Sequence, residues 1–591
     1  MVTSSMGSTQ DPFSNAEIKA YATKTAIRWS PFFLACLSLG LIVALAPPLH
    51  TTTSRNNLGG SSYSPYSGSS STHFTGGGSS RSGRGYAKGG SSSSAYGNTA
   101  NTTSGSGTPQ QASGYTGSAA PSSLAPIGTY GTTVTGIACK PGVKQFTWSV
   151  YAPPCVPNFH GNNGGNTSRG VTGSTITFSF AVPPSADQTA VNSLAGSAAV
   201  HTQAYINDLE TYINFFNRQF ELYGRHVVLK TFQAQGNYLE EDSGQDLAGA
   251  QADAQTAASM PAFLDLTFPL YTTQYYEQDL AQNHVIGTGG LGMPISWFEQ
   301  YYPYLVSYVP TGTAAASGFA RAICERMAGL PAVFSPQYSH TIRRFGLIIP
   351  NTPAYQRIGK DITSRLASIC GIKMAVIEQY TEGDLQSYGT MAAEYIARMK
   401  ASGVTTVVCG CDPIFPVFVS DAAASQNYYP EWVAIAWGDS VTRNYNSSEW
   451  SHAISQEGQT RPEQDTVAYE VYLKASGGHP PQEVYYWDAY YQALMVFDGL
   501  QMAGPDLTPY SFIRGWMSMP RTPLGGAGIW QGGNSAFSLA DVNTQLGWWN
   551  PNATSNFDGK KGAWENCDGG KWFSYNTTAG WGTPHTQLKC F

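Results

Sequence analysis

From residue 172 onward the sequence alternates short apolar runs with amphipathic stretches, in two successive blocks, and few architectures accommodate that alternation. Residues 175–180 (TITFSF) alternate as a strand does. A helix follows, with Tyr205, Leu209, Tyr212, Ile213, Phe216 and Phe220 on one apolar face, and Gly224 ends it before a second strand at 227–229. Further runs stand at 263–266, 285–286 and 304–309. The second block repeats the rhythm at 345–349, 373–377, 404–408 and 432–436. Between these lie helical stretches such as 390–400, with Met391, Tyr395, Ile396 and Met399 together, and a last helix spans 488–502. The pattern predicts an α/β protein of two doubly wound, Rossmann-like lobes joined by a hinge. In such sheets ligands bind at the loops leaving the C-terminal strand ends, so two facing lobes make a cleft.

The first quarter of the chain is different. Residues 31–46 are sixteen uncharged, mostly apolar residues, and the flanks 29–48 extend them to bilayer length. Lys19, Lys24 and Arg28 precede the stretch, which leaves a short cytoplasmic segment, 1–28, inside. Ala44-Leu45-Ala46 also reads as a signal-peptidase site, but Pro47 directly after it disfavours cleavage. We therefore expect a single-pass membrane anchor with the rest of the chain extracytoplasmic. Residues 49–128 form a flexible linker: 25 of the 40 residues from 59 to 98 are Gly or Ser. About 80 flexible units span roughly 50 Å. Residues 1–186 carry +8, and the remainder −14 of the net −6. An acidic folded part excludes nucleic acid as a partner, because phosphate binding needs clustered Lys and Arg.

Eight of the nine cysteines follow the anchor, an even number in an oxidising compartment. Sequence neighbours suggest Cys139–Cys155, in an N-terminal segment at 129–171, and Cys567–Cys590, in a C-terminal extension at 546–591. Cys324–Cys370 reads as a helix-to-helix staple. Cys409 and Cys411 flank one glycine and are buried thiols or a strained bond. No second pair or histidine set accompanies them, so no metal site is expected. Gly287-Thr288-Gly289-Gly290-Leu291-Gly292 satisfies G-x-G-x-x-G. Pro294 follows in place of a long helix, so it reads as a cleft loop or a plain turn and not as a nucleotide site. The ten histidines show no catalytic spacing, the acidic run Glu240-Glu241-Asp242 reads as a solvated loop, and neither an enzyme nor a cofactor is indicated.

The arrangement resembles the type I periplasmic-binding-protein family, in particular the branched-chain amino-acid type of ABC-transporter substrate-binding proteins, in an actinobacterial-like form. The resemblance is carried by residues 198–225, by Arg344-Phe345-Gly346-Leu347-Ile348-Ile349, by residues 403–408 with the loop Cys411-Asp412-Pro413-Ile414, and by Tyr429-Pro430-Glu431-Trp432. It covers about residues 173–545. It implies lobe 1 at 172–309, lobe 2 at 310–480 and a return to lobe 1 at 481–545. It also implies capture of a small polar, amino-acid-like ligand for delivery to an ABC permease. A ligand sensor signalling to a membrane partner is the alternative. In the family, hydroxyls and amides of lobe 1 hold the ligand carboxylate, which maps to Thr267, Gly289 and Gly290. Lobe 2 offers an acid to the ammonium, and Tyr355, Asp412 and Asp439 are the matching loop positions. The chain departs from the family at Ala181-Val182-Pro183-Pro184 and at Phe263-Leu264-Asp265-Leu266-Thr267.

Overall fold

The computed structural model describes residues 125–590, apart from positions 196–198, 291, 436, 457–465, 484, 521–536, 538–542, 557, 576 and 579. The anchor and nearly all of the linker lie outside the described residues. No helix among those described is long and apolar enough to cross a membrane.

Lobe 1 is built on strand β1 (Thr175–Val182), which is buried along its length. After helices α1 (Ser185–Ala195) and α2 (Thr202–Phe216), strand β2 (His226–Gln233) pairs with β1 in parallel over eight residues. Helices α3 (Tyr238–Asp242) and α4 (Leu247–Ser259) lead to β3 (Leu264–Asp265) on the other side of β1. Parallel bridges Leu264–Ile286 and Gly287–Leu305 continue the order past helix α5 (Gln274–Gln282). Helix α6 (Ile295–Gln300) follows.

The chain then crosses to lobe 2 and forms helix α7 (Gly312–Arg326). Lobe 2 alternates strictly: β4 (Phe345–Pro350), α8 (Pro353–Cys370), β5 (Val376–Tyr380), α9 (Tyr388–Ala401), β6 (Thr406–Cys409), α10 (Phe415–Ser425) and β7 (Glu431–Ala434). Short helices α11 (Asp439–Thr442) and α12 (Ser447–Trp450) precede β8 (Ala453–Ser455). The return to lobe 1 is already made at α13 (Val467–Ser476), earlier than residue 481. Its Ala468 carbonyl accepts the Tyr212 hydroxyl of α2 at 2.9 Å, and its Tyr472 donates to Asp208 at 2.5 Å. Helix α14 (Tyr486–Ala503) is apolar on nearly every side and lies in the lobe 1 core, next to α15 (Pro509–Met517).

The C-terminal region is more than a local decoration. Strands β9 (Gly547–Thr554) and β10 (Lys561–Asn566) join the lobe 2 sheet antiparallel, giving the order β10-β9-β8-β7-β6-β4-β5. Alternation over β9 and β10 puts Trp549 opposite Trp564, both buried, so this hairpin is part of the lobe 2 core. The N-terminal segment caps lobe 1: Phe146 stacks on Trp148 and meets Phe220 edge-on. All four cysteine pairs are bonded: 139–155, 324–370 between α7 and α8, 567–590, and 409–411 at the end of β6.

Beneath the lobe 2 sheet, Arg343 and Glu431 form a fully buried, bidentate ion pair at 2.6 and 2.9 Å. The Thr406 hydroxyl and the Phe334 amide also donate to the carboxylate, at 3.0 and 2.9 Å. The pair thus ties the loop before β4 to β6 and β7. Removing one member leaves a buried charge alone, which costs about 3–5 kcal/mol. Glu431→Ala is expected to lower unfolding free energy in urea by that amount, and a loss under about 1 kcal/mol would contradict the reading.

Candidate functional site

The loops leaving the strand ends of both lobes enclose a cavity of about 400 Å³. Its wall is largely aromatic: Phe268, Tyr308 and Tyr485 from lobe 1, and Tyr355, Tyr388 and Trp437 from lobe 2, with Trp487 at the start of α14. The lobes touch across it. Gly383, after β5, sits at φ +81°, and a Cβ there would lie 2.1 Å from the Leu239 carbonyl oxygen of α3. A Cβ on Gly292 of lobe 1 would lie 2.9 Å from the Tyr355 hydroxyl. Both contacts require the lobes to be drawn together.

Asp412 stands on this wall at the end of β6. Tyr380 stacks on Phe415 at 3.9 Å, with Tyr388 edge-on to both, and the two tyrosine hydroxyls donate to Asp412 Oδ2 at 2.6 and 3.3 Å. The amides of Ile414 and Phe415, at the start of α10, donate to Oδ1 at 2.6 and 3.0 Å. Burial raises this carboxyl above its ordinary range, and the four hydrogen bonds work against that rise.

Two further acids face the same cavity. Asp242 closes α3 in lobe 1, and Glu382 follows β5 in lobe 2. Neither carboxylate has a hydrogen-bond or ion-pair partner among the described residues. Each is enclosed by protein while keeping part of its surface open to the cavity. Burial pushes both well above the usual carboxylate range. The charges of Glu241 and Asp412 add to the rise at Asp242, and those of Asp242 and Asp412 at Glu382. Asp488 and Asp558 also line the wall, but Asp488 accepts the Tyr308 hydroxyl at 2.9 Å and Asp558 pairs with Arg443. Among the described lining residues there is no Lys, Arg or His.

The residues expected from the sequence fall into two groups. Gly290, Tyr355, Asp412 and Asp439 line the cavity. Asp439, however, accepts the Ser555 hydroxyl at 2.6 Å and the Trp564 amide at 3.0 Å, so its carboxylate anchors α11 to β10. Thr267 and Gly289 turn inward. The Thr267 hydroxyl accepts the Ala181 amide at 2.8 Å, and the Gly289 amide donates to the buried Glu277 at 2.9 Å. Gln492 of α14 closes this network by donating to Thr288 and the Thr267 carbonyl, at 2.9 and 3.2 Å. Thus part of the glycine-rich loop is fastened from below and does not offer its amides to the cavity.

No protein-family model matches this sequence, and no curated protein is similar to it. Several solved structures align with it at low identity. An ABC transporter substrate-binding protein from Aeropyrum pernix is 12% identical, with a TM-score of 0.46 over 66% of this chain and 96% of that one. A leucine-, isoleucine-, valine-, threonine- and alanine-binding protein from Brucella ovis, in a closed conformation, is 13% identical, with a TM-score of 0.45 over 68% and 96%. A fatty acid ABC transporter substrate-binding protein from Thermomonospora curvata is 14% identical, with a TM-score of 0.46 over 68% and 96%. At these values no residue role is carried over from any of them.

Asp242 and Glu382 were not among the expected residues. The run Glu240-Glu241-Asp242 is not a solvated loop but the short helix α3. It faces three ways: Glu240 outward, Glu241 into the core against Thr273, and Asp242 to the cavity. Glu382 obeys the same rule as Asp412, an acid just past a strand end. The strand before it runs to Tyr380 rather than stopping at residue 377, because Glu378 and Gln379 continue it along an edge.

Two outcomes follow. Gly383→Ala is expected to hold the lobes apart, giving a larger radius of gyration by small-angle scattering; an unchanged radius would show that the contact does not govern closure. Glu277 is raised to about 8 by burial, then by Asp265, against the Gly289 hydrogen bond. Its stabilising proton is fully held below pH 4.5 and is lost as pH rises through about 8. The melting temperature of Glu277→Gln relative to the parent protein should therefore rise between pH 5 and pH 8. A pH-independent difference would contradict this.

Proposed function

We propose that this protein captures a small solute between its two lobes and presents the closed, loaded form to an ABC permease. The single observation that carries this reading is the cavity of about 400 Å³ between two strand-end loop sets that already touch at Gly383 and Leu239. Cavities of that size suit small molecules, and loops at facing strand ends are where two-lobed α/β proteins bind them. A ligand favours the closed state by its differential affinity for it. The described residues of the cavity wall offer enclosure, aromatic surface and acids, and among them there is no arrangement of nucleophile and base. The reading is therefore binding, not catalysis.

Residues 29–48 would hold the protein at the membrane and residues 49–128 would let the lobes range outside it, within reach of a permease. Of the amino-acid-like ligand, the ammonium half has a counterpart in the acidic wall of the cavity, to which Asp412 adds its field. The carboxylate half would rely on Gly290, because Thr267 and Gly289 are engaged elsewhere. Sensing for a membrane partner would use the same closure. A thermal-shift screen of small metabolites on the full chain, followed by scattering with each hit, tests the reading. A stabilising compound should also contract the protein, and stabilisation with no contraction by any hit would overturn capture by closure.

A further inference from the structure

Resting on the solute-binding reading, we infer that the cleft selects an organic cation, its ammonium group held between Asp242 of lobe 1 and Glu382 of lobe 2. Two independent observations converge on this. The two carboxylates come from opposite lobes, face one cavity and have no protein partner among the described residues. No described lining residue carries a positive charge, so the negative charge of the wall is uncompensated from within.

The rest of the wall fits the rest of such a ligand. Tyr355, Tyr388, Trp437 and Tyr485 line the cavity and give it an aromatic surface suited to the body of such a ligand. An inorganic divalent cation is a poorer match. It would need six or more oxygen ligands, and among the described residues no group of three or more acidic, His or Cys side chains could hold a metal. A simple anion is worse still, since Asp242, Glu382 and Asp412 would repel it. Asp412 acts at one remove: its oxygens are filled by Tyr380, Tyr388 and the α10 amides, so it adds field and not a contact. Because Asp242 and Glu382 repel each other when the lobes close, the cation would also serve as the bridge that makes closure favourable.

Calorimetry on the full chain tests this with choline, 1,5-diaminopentane, 3,3-dimethylbutan-1-ol (the uncharged isostere of choline), L-leucine and benzoate. The expected result is that at least one cation binds, about tenfold or more tighter than the neutral isostere. Asp242→Asn and Glu382→Gln should each weaken that cation by about tenfold or more. Both variants remove a repelling charge, so their melting temperatures should be equal to or above that of the parent protein, which separates a binding defect from a folding one. Equal affinity for choline and its isostere, or unchanged cation affinity in both variants, would overturn the inference. Binding of leucine or benzoate with no cation would overturn it too, while leaving capture by closure standing. No binding and no contraction with any probe would count against both.

Discussion

Parallel strands end together, and the loops that leave them must share one edge of their sheet. With two such sheets facing each other, that topological constraint decides the contents of the cleft. Phe268 comes after β3, Tyr355 after β4, Glu382 after β5, Asp412 after β6 and Trp437 after β7. None of these residues is near another in sequence, and each stands a few positions beyond the end of a strand. The aromatic and acidic wall follows from where the strands stop, so anything that shifts a strand end shifts the site. The Arg343–Glu431 pair matters for this reason. It fixes β6 and β7 to the loop before β4, and those are three of the strands whose ends carry the lobe 2 wall.

The two lobes use their polar groups in opposite directions. Lobe 1 turns most of them inward, leaving Asp242 at the cavity. Asp265 collects the hydroxyls of Ser179 and Tyr276 at 2.6 and 3.1 Å, and Glu277 holds Gly289. Gln492 links Tyr205, Thr288 and the Thr267 carbonyl. A buried polar network of this kind is stable only when satisfied, and satisfying it removes donors from the cleft. Lobe 2 satisfies Asp412 with tyrosines and amides of its own but leaves Glu382 open to the cavity. The result is a wall whose unpaired groups are acidic.

Much of this was legible in the sequence, and the failures have physical causes. The apolar runs announced most of the parallel strands, because strands buried on both faces must be apolar throughout, whereas the three-residue β8 was not read from them. The Cys139–Cys155, Cys324–Cys370 and Cys567–Cys590 pairs were legible as neighbours, whereas the Cys409–Cys411 bond was left open. The antiparallel pair β9 and β10 was not recognised as sheet. Its strands carry Gly, Asn and Pro, and their place is set by pairing with β8, a contact nearly a hundred residues away. Asp412 was reached through the family resemblance, and it does stand just past an apolar strand. Glu382 was missed because β5 is an edge strand with polar residues at its end, and such a strand has no apolar run to mark where it stops. Whether Thr267 and Gly289 face the cavity depends on Ala181 and Glu277, which only the folded lobe brings to them.

The closed arrangement and the acidic wall constrain each other. Leu239 and Gly383 meet only if α3 and the loop after β5 come together, and those two elements carry Asp242 and Glu382. Contact between the lobes therefore brings two carboxylates toward one another in a space that excludes bulk water. Like charges about 4 Å apart cost about 4 kcal/mol near a protein surface, against about 1 kcal/mol in water. The upward shift of both carboxyls is the protein's own answer, since a proton on either relieves the repulsion. A proton does no more than cancel charge. A cation with an apolar body cancels it and also fills the aromatic space around it, so it gains on closure where a proton gains little. The same geometry that makes the empty cleft costly to close thus sets which solutes make closing favourable.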